Sequence, residues 1–167
     1  MIREALRLTR LPLPRKILGM SPSRPVPSPE SFPLHTEVVV RFRDVDAMGH
    51  VNNAVYLTYL EEARVALFKE LAPTDLHGPS PEQQFPFILA EATCRYLSPA
   101  AVAETLNVYI RVARTGSKSF DFEYLVTEQR SGRLLAAART VQVAFDYATG
   151  QPIEIPPHLR EALERFR

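Results

Sequence analysis

With 167 residues, 46% of them hydrophobic and 23% charged, the chain has material for one compact domain and a tail, not for two full domains. Lys and Arg number 20 against 19 Asp and Glu, so no cationic excess is available to neutralise phosphate backbones, and nucleic acid is excluded as an expected partner. The single cysteine, Cys94, rules out an internal disulfide or a thiolate-rich metal centre and fits the cytoplasm, while the lack of any run of about 18 apolar residues excludes a helical membrane span.

Residues 1–34 hold 7 of the 15 prolines and read as a Pro-rich N-terminal arm, because proline breaks both helices and central strands. The arm carries six basic and two acidic residues, a net +4, which leaves −3 on residues 35–167. A basic, acid-poor start is compatible with a transit peptide, but Pro22, Pro25, Pro27 and Pro29 interrupt the amphipathic helix that targeting needs. A plain tail or a segment that clasps another subunit is the expectation, with docking onto a membrane or partner protein as its rival.

From residue 35 the pattern alternates, with Val38, Val40 and Phe42 on one face and Glu37, Arg41 and Arg43 on the other: a half-buried strand. After a short loop, Asn52 and Asn53 are helix-capping residues ahead of a long apolar segment ending near Leu71 and Pro73. Tyr56, Leu60, Ala63, Leu67 and Leu71 share one helical face, and further apolar residues widen the stripe until the helix must be wrapped on most sides. Gly78, Pro79 and Pro81 mark a loop.

Four extended runs follow, Phe85–Leu97, Thr105–Ala113, Lys118–Val126 and Leu134–Tyr147, separated by hairpin-length breaks. The first presents Ile88, Ala90, Ala92, Cys94 and Tyr96 on one face, and the last presents Leu135, Ala137, Val141, Val143, Phe145 and Tyr147. A doubly wound sheet would need helices between these strands. The expected architecture is therefore α+β, an antiparallel five-stranded sheet wrapped around one long central helix, with a short helix Pro157–Phe166 at the end.

The stretch Arg41-Phe-Arg-Asp-Val-Asp46-Ala-Met-Gly49-His50-Val-Asn52-Asn53-Ala-Val-Tyr56 delivers carboxylates to a loop, turns at a glycine and enters a helix within a few residues. The unpaired N–H groups of a helix's first turn and its macrodipole favour a developing oxyanion. Asp46 adds a carboxylate that is ionised at neutral pH when unperturbed. Such a junction suits acyl transfer.

This segment resembles the signature of the hotdog-fold thioesterases, specifically the 4-hydroxybenzoyl-CoA thioesterase-like branch of acyl-CoA thioesterases. The run Asp46-Ala-Met-Gly49-His50-Val-Asn52-Asn53 is also similar to acyl-acyl-carrier-protein thioesterases, and the order of elements over residues 35–147 agrees. The resemblance implies a hotdog fold and hydrolysis of a fatty or aromatic acyl-CoA to free acid and CoA. Asp46 would be the catalytic carboxylate, as nucleophile or as base toward water. Gly49 would be the turn glycine, and Asn53 the residue whose backbone N–H polarises the carbonyl. The resemblance also implies a homodimer, with a homotetramer as a further assembly, and a pocket between subunits. His50 and the Asn pair depart from the bulky residues of aromatic-substrate members, so acyl specificity does not transfer. Carrier-protein thioesters, or a non-catalytic module that binds acyl thioesters, are the alternatives.

Among the other candidates, His50 either positions substrate or bonds its own backbone, and Asn52 and Tyr56 would contact substrate at the helix start. Arg114, Ser117, Lys118 and Ser119 put cations and hydroxyls around a glycine turn, suited to the phosphates and pantetheine of CoA. Asp44 reads as structural, Glu61 and Glu62 as a polar stripe with Arg64, and Glu91 as a solvated strand residue. His35, His50, His77 and His158 are scattered, so no metal site is expected; nor is an organic cofactor, CoA being part of the substrate. Cys94 on an apolar strand face reads as an inert thiol.

Overall fold

The computed structural model describes residues 25–71 and 86–167. The predicted helix stop at Pro73, the loop around Gly78–Pro81, His77 and most of the arm lie outside the described residues. The elements are β1 (Leu34–Val39), α1 (Val55–Leu71), β2 (Phe87–Tyr96), β3 (Thr105–Thr115), β4 (Ser119–Glu128), β5 (Leu134–Asp146), a two-residue β6 (Gln151–Pro152) and α2 (Pro157–Glu164).

All sheet pairings are antiparallel, in the order β1-β3-β4-β5-β2, with β6 on the end of β5. Helix α1 lies in the concave face, as the α+β hotdog expectation requires. Its Tyr59, Leu60, Ala63 and Leu67 are fully buried against Leu106, Val108 and Ile110 of β3 and Phe120, Phe122 and Tyr124 of β4. Aromatic rings in edge-to-face contact, such as Phe87 on Phe120 and Phe120 on Phe122, fill the layer between helix and sheet.

Three details depart from the simple alternation. Strand β1 ends at Val39, because Phe42–Asp44 closes a 3-10 turn that rotates Phe42 out of the predicted inner face and leaves it 86% exposed. A bulge between Leu89 and Glu91 of β2 puts Phe87, not Ile88, on the helix side, opposite Ala144. In β5 the helix side carries Ala136, Ala138, Thr140, Gln142 and Ala144, paired with the large inward residues of β4, while Val141 and Val143 face outward.

The outer face is not bare. Phe32, which the sequence places in the arm, is buried there with its ring 6.0 Å from Tyr109 and the Arg111 guanidinium 5.0 Å above it. Beside it, Glu123 accepts from two of the three Arg111 guanidinium nitrogens, and Asp121 is shared by Arg114 and Arg139.

Candidate active site

The loop between β1 and α1 is fixed by its own backbone. Asn52 N–H donates to the Asp44 carbonyl, Val45 bridges Val51, and Asp46 N–H donates to the His50 carbonyl, all before the helix starts. Gly49 N–H closes a turn onto the Asp46 carbonyl at 3.0 Å with φ +78°, a left-handed conformation that explains glycine there; no neighbouring atom would meet a Cβ. Within that turn an Asp46 carboxylate oxygen accepts Met48 N–H at 2.9 Å, leaving its other oxygen for chemistry.

Asp44 has the opposite surroundings. It is 4% exposed and accepts Arg41 N–H, Arg41 Nε–H and the Tyr59 hydroxyl at 2.9–3.2 Å. Burial pushes its carboxyl upward, but the hydrogen bonds from the Arg41 backbone, Tyr59 and the Arg41 side chain outweigh it and hold the group below the ordinary carboxylate range. Asp44 is a structural anchor of the loop.

At the helix start, Asn52 Oδ1 accepts Ala54 N–H at 2.9 Å and the Asn52 carbonyl accepts Val55 N–H at 3.0 Å, so Asn52 acts as the cap. Asn53 N–H has no acceptor among the described residues. Asp46, His50, Asn53 and Tyr56 line one cavity of about 510 Å³ together with Tyr96 and Pro99. Tyr56 is buried, and that burial, with the nearby Cys94, pushes its phenol up to about 12, so it stays protonated at neutral pH. Burial also pushes the Cys94 thiol up, away from the thiolate a nucleophile would need.

The structure thus brings together Asp46, Gly49, His50, Asn52, Asn53 and Tyr56, and adds Met48, Tyr96 and Pro99, which the sequence reading missed. Tyr96 was visible only as one more inward residue of β2. Arg114, Ser117, Lys118 and Ser119 are not part of this cavity: they sit in the β3–β4 hairpin, at the opposite end of the eleven-residue β3 from the loop that carries Asp46. Arg114 is also committed to Asp121. A second cavity, about 390 Å³, lies on the outer face among Arg95, Arg111, Glu123 and Arg139. It holds ion pairs and no group poised for acyl chemistry. Glu61 pairs loosely with Arg64 at 3.7 Å and Glu91 is exposed. Among the described residues, no three His, Cys, Asp or Glu side chains converge as a metal site.

Comparison with known proteins supplies the family. A thioesterase from Thermus thermophilus, solved with coenzyme A and zinc, superposes with a TM-score of 0.70 at 35% identity, covering 81% of this chain and 95% of that one. The long-chain acyl-CoA thioesterase FadM of Escherichia coli is 28% identical over 80% of this chain and 98% of its own length. The chloroplast acyl-acyl carrier protein thioesterase ATL3 of Arabidopsis thaliana is 25% identical over 78% of this chain and 67% of its own length. The signature of the thioesterase-like superfamily runs through residues 40–163, from the loop that carries Asp46 into α2, and the chain belongs to that superfamily.

Proposed function

We propose that the protein is a thioester hydrolase that cleaves acyl-CoA to free acid and CoA, with no metal or organic cofactor. One observation carries the reading: the Asp46 carboxylate and the unpaired start of α1 at Asn53 line the same largely apolar cavity. The acyl chain lies against Tyr56 and Val51, and the thioester carbonyl accepts from Asn53 N–H, where the helix dipole favours negative charge. Asp46 then acts in one of two ways. As a base it takes a proton from water while the water oxygen bonds to the carbonyl carbon; the C–S bond breaks and the thiolate leaves with that proton. As a nucleophile its oxygen bonds to the carbonyl carbon, the C–S bond breaks and the CoA thiolate leaves, and water then opens the mixed anhydride to the free acid and the regenerated Asp46, the released proton going to the thiolate. A thiol with a pKa near 8.5 leaves without a strong general acid, so few ionisable groups suffice.

The edge of β2, unpaired among the described residues and with Leu89 51% exposed, supports a homodimer. An antiparallel β2–β2 pairing has its two-fold axis perpendicular to the sheet, which reverses the partner's strands. The partner's hairpin at Arg114–Ser119 then comes to the Asp46 end, two or three strands and roughly 10–15 Å from the shared edge. In that arrangement the hairpin cations take the phosphates of CoA; a tetramer would pair such dimers. The cytoplasm, where acyl-CoA is made and used, is the proposed location.

Carrier-protein thioesters are the second reading, favoured by the likeness to the Arabidopsis enzyme. Thiol release from a panel of acyl-CoA and acyl-carrier-protein substrates tests both. Asp46→Asn is expected to lose at least about a hundredfold in kcat with KM little changed, the pattern of a group acting in the transition state. Normal turnover by Asp46→Asn removes it from the mechanism.

A further inference from the structure

The peptide that joins Asn53 to Ala54 is held at both ends. Its N–H donates to the Asn52 side chain at 2.9 Å, and its carbonyl accepts the hydroxyl of Tyr96, 43 residues away, also at 2.9 Å. The tie from β2 answers a local need. In a regular α-helix the Asn53 carbonyl would accept Leu57 N–H, but the first turn is tight and Leu57 N–H goes to Ala54 at 3.1 Å. Tyr96 is the donor that remains for Asn53 among the described residues. Its ring also meets Tyr56 edge-on at 5.2 Å, so the hydroxyl is aimed by packing within the cavity wall.

We propose that Tyr96 is a positioning residue for the oxyanion site, a role that rests on the reading of Asn53 given above. The Asn53 N–H and carbonyl are the two backbone groups of one residue on the wall of the cavity. The two groups lie in adjoining peptide planes that meet at the Asn53 Cα, so rotation of an untied carbonyl plane loosens that Cα and with it the aim of the N–H beside it. Tyr96 opposes that rotation from a different element, coupling the end of β2 to the mouth of α1. It does not touch the reacting atoms. Its effect is on the geometry of the donor that does, and so on the transition state more than on ground-state binding.

The test compares thiol release from one good acyl-CoA substrate by the wild type, Tyr96→Phe and Asp46→Asn, with thermal melts of each. Tyr96→Phe is expected to lose about tenfold in kcat, a fraction of the hundredfold or more that a lost oxyanion donor costs, with KM within about twofold and an unchanged melting temperature. Replacing Tyr96 by 4-aminophenylalanine, which keeps a donor at the para position, should restore most of the rate, whereas O-methyltyrosine should not. These two forms decide the matter even if the Phe variant folds poorly. Wild-type kcat in Tyr96→Phe, or equal rates for the amino and methoxy forms, overturns the positioning role while leaving the hydrolase reading intact if Asp46→Asn is impaired. No thiol release by the wild type, or an active Asp46→Asn, overturns the hydrolase reading and the role of Tyr96 with it.

Discussion

Asp44 and Asp46 stand two residues apart, and their neighbours decide what each can do. Asp44 is enclosed and takes three donors, so its charge is already spent on holding Arg41 and Tyr59; Asp46 takes one backbone donor and stays half-exposed on the cavity. Because the folded-state pKa of Asp44 lies below its ordinary value, its stabilisation is complete above the unfolded value near 3.9 and is lost as pH falls through the folded one. Asp44→Asn should therefore cost about 1–3 kcal/mol at pH 7 and progressively less as pH falls below the unfolded value, so the gap between its denaturant midpoint and that of the wild type narrows with acidification. A gap that persists unchanged at low pH would show that Asp44 matters through packing and not through charge. Asp46 was legible in the sequence because the spacing from carboxylate to glycine to helix start is contiguous. Tyr96 was not, because its partner is 43 residues distant and no local pattern says that the end of β2 meets the start of α1.

The strands show the same division between local and distant causes. In β3 and β4 the inward residues are large, alternate cleanly and could be assigned from sequence: Leu106, Val108 and Ile110, and Phe120, Phe122 and Tyr124. In β5 the size rule inverts. The layer is already filled by the β4 aromatics and α1, so the positions opposite Tyr124 and Val126 must be small, and Ala138 and Ala136 occupy them. The bulkier Val141 and Val143 face outward, so choosing the larger residues picks the wrong face. Likewise the bulge in β2 shifts its alternation by one residue, and neither hydropathy nor turn residues signal it. Ala136→Leu should therefore destabilise by about 1–3 kcal/mol through overpacking, whereas Val141→Thr on the outer side should cost under about 1 kcal/mol. Equal penalties in urea melts would mean that the two faces of β5 are wrongly assigned.

At the scale of the molecule, the described cavity and the hairpin cations lie at opposite ends of one sheet, and the proposed dimer is what joins them. Lys118 is exposed at the hairpin tip, with its ammonium bonded only to the Pro152 carbonyl at 3.3 Å among the described residues, so it is better placed than Arg114 to meet an incoming phosphate. Lys118→Glu should raise KM for acyl-CoA about tenfold, the worth of about 1.4 kcal/mol, and leave the kcat of bound substrate little changed. Mixing decides which subunit supplies the cation. If each site takes Asp46 from one chain and Lys118 from its partner, a mixed dimer of Asp46→Asn and Lys118→Glu chains concentrates both defects in one site and leaves the other wild type. Unfolding and refolding the two variants together should then recover about a quarter of the wild-type sites, read at substrate well below KM, since half of randomly formed dimers are mixed and each has one intact site. If Lys118 serves its own chain, no mixed dimer has an intact site, and the refolded mixture is no more active than the average of the two parents.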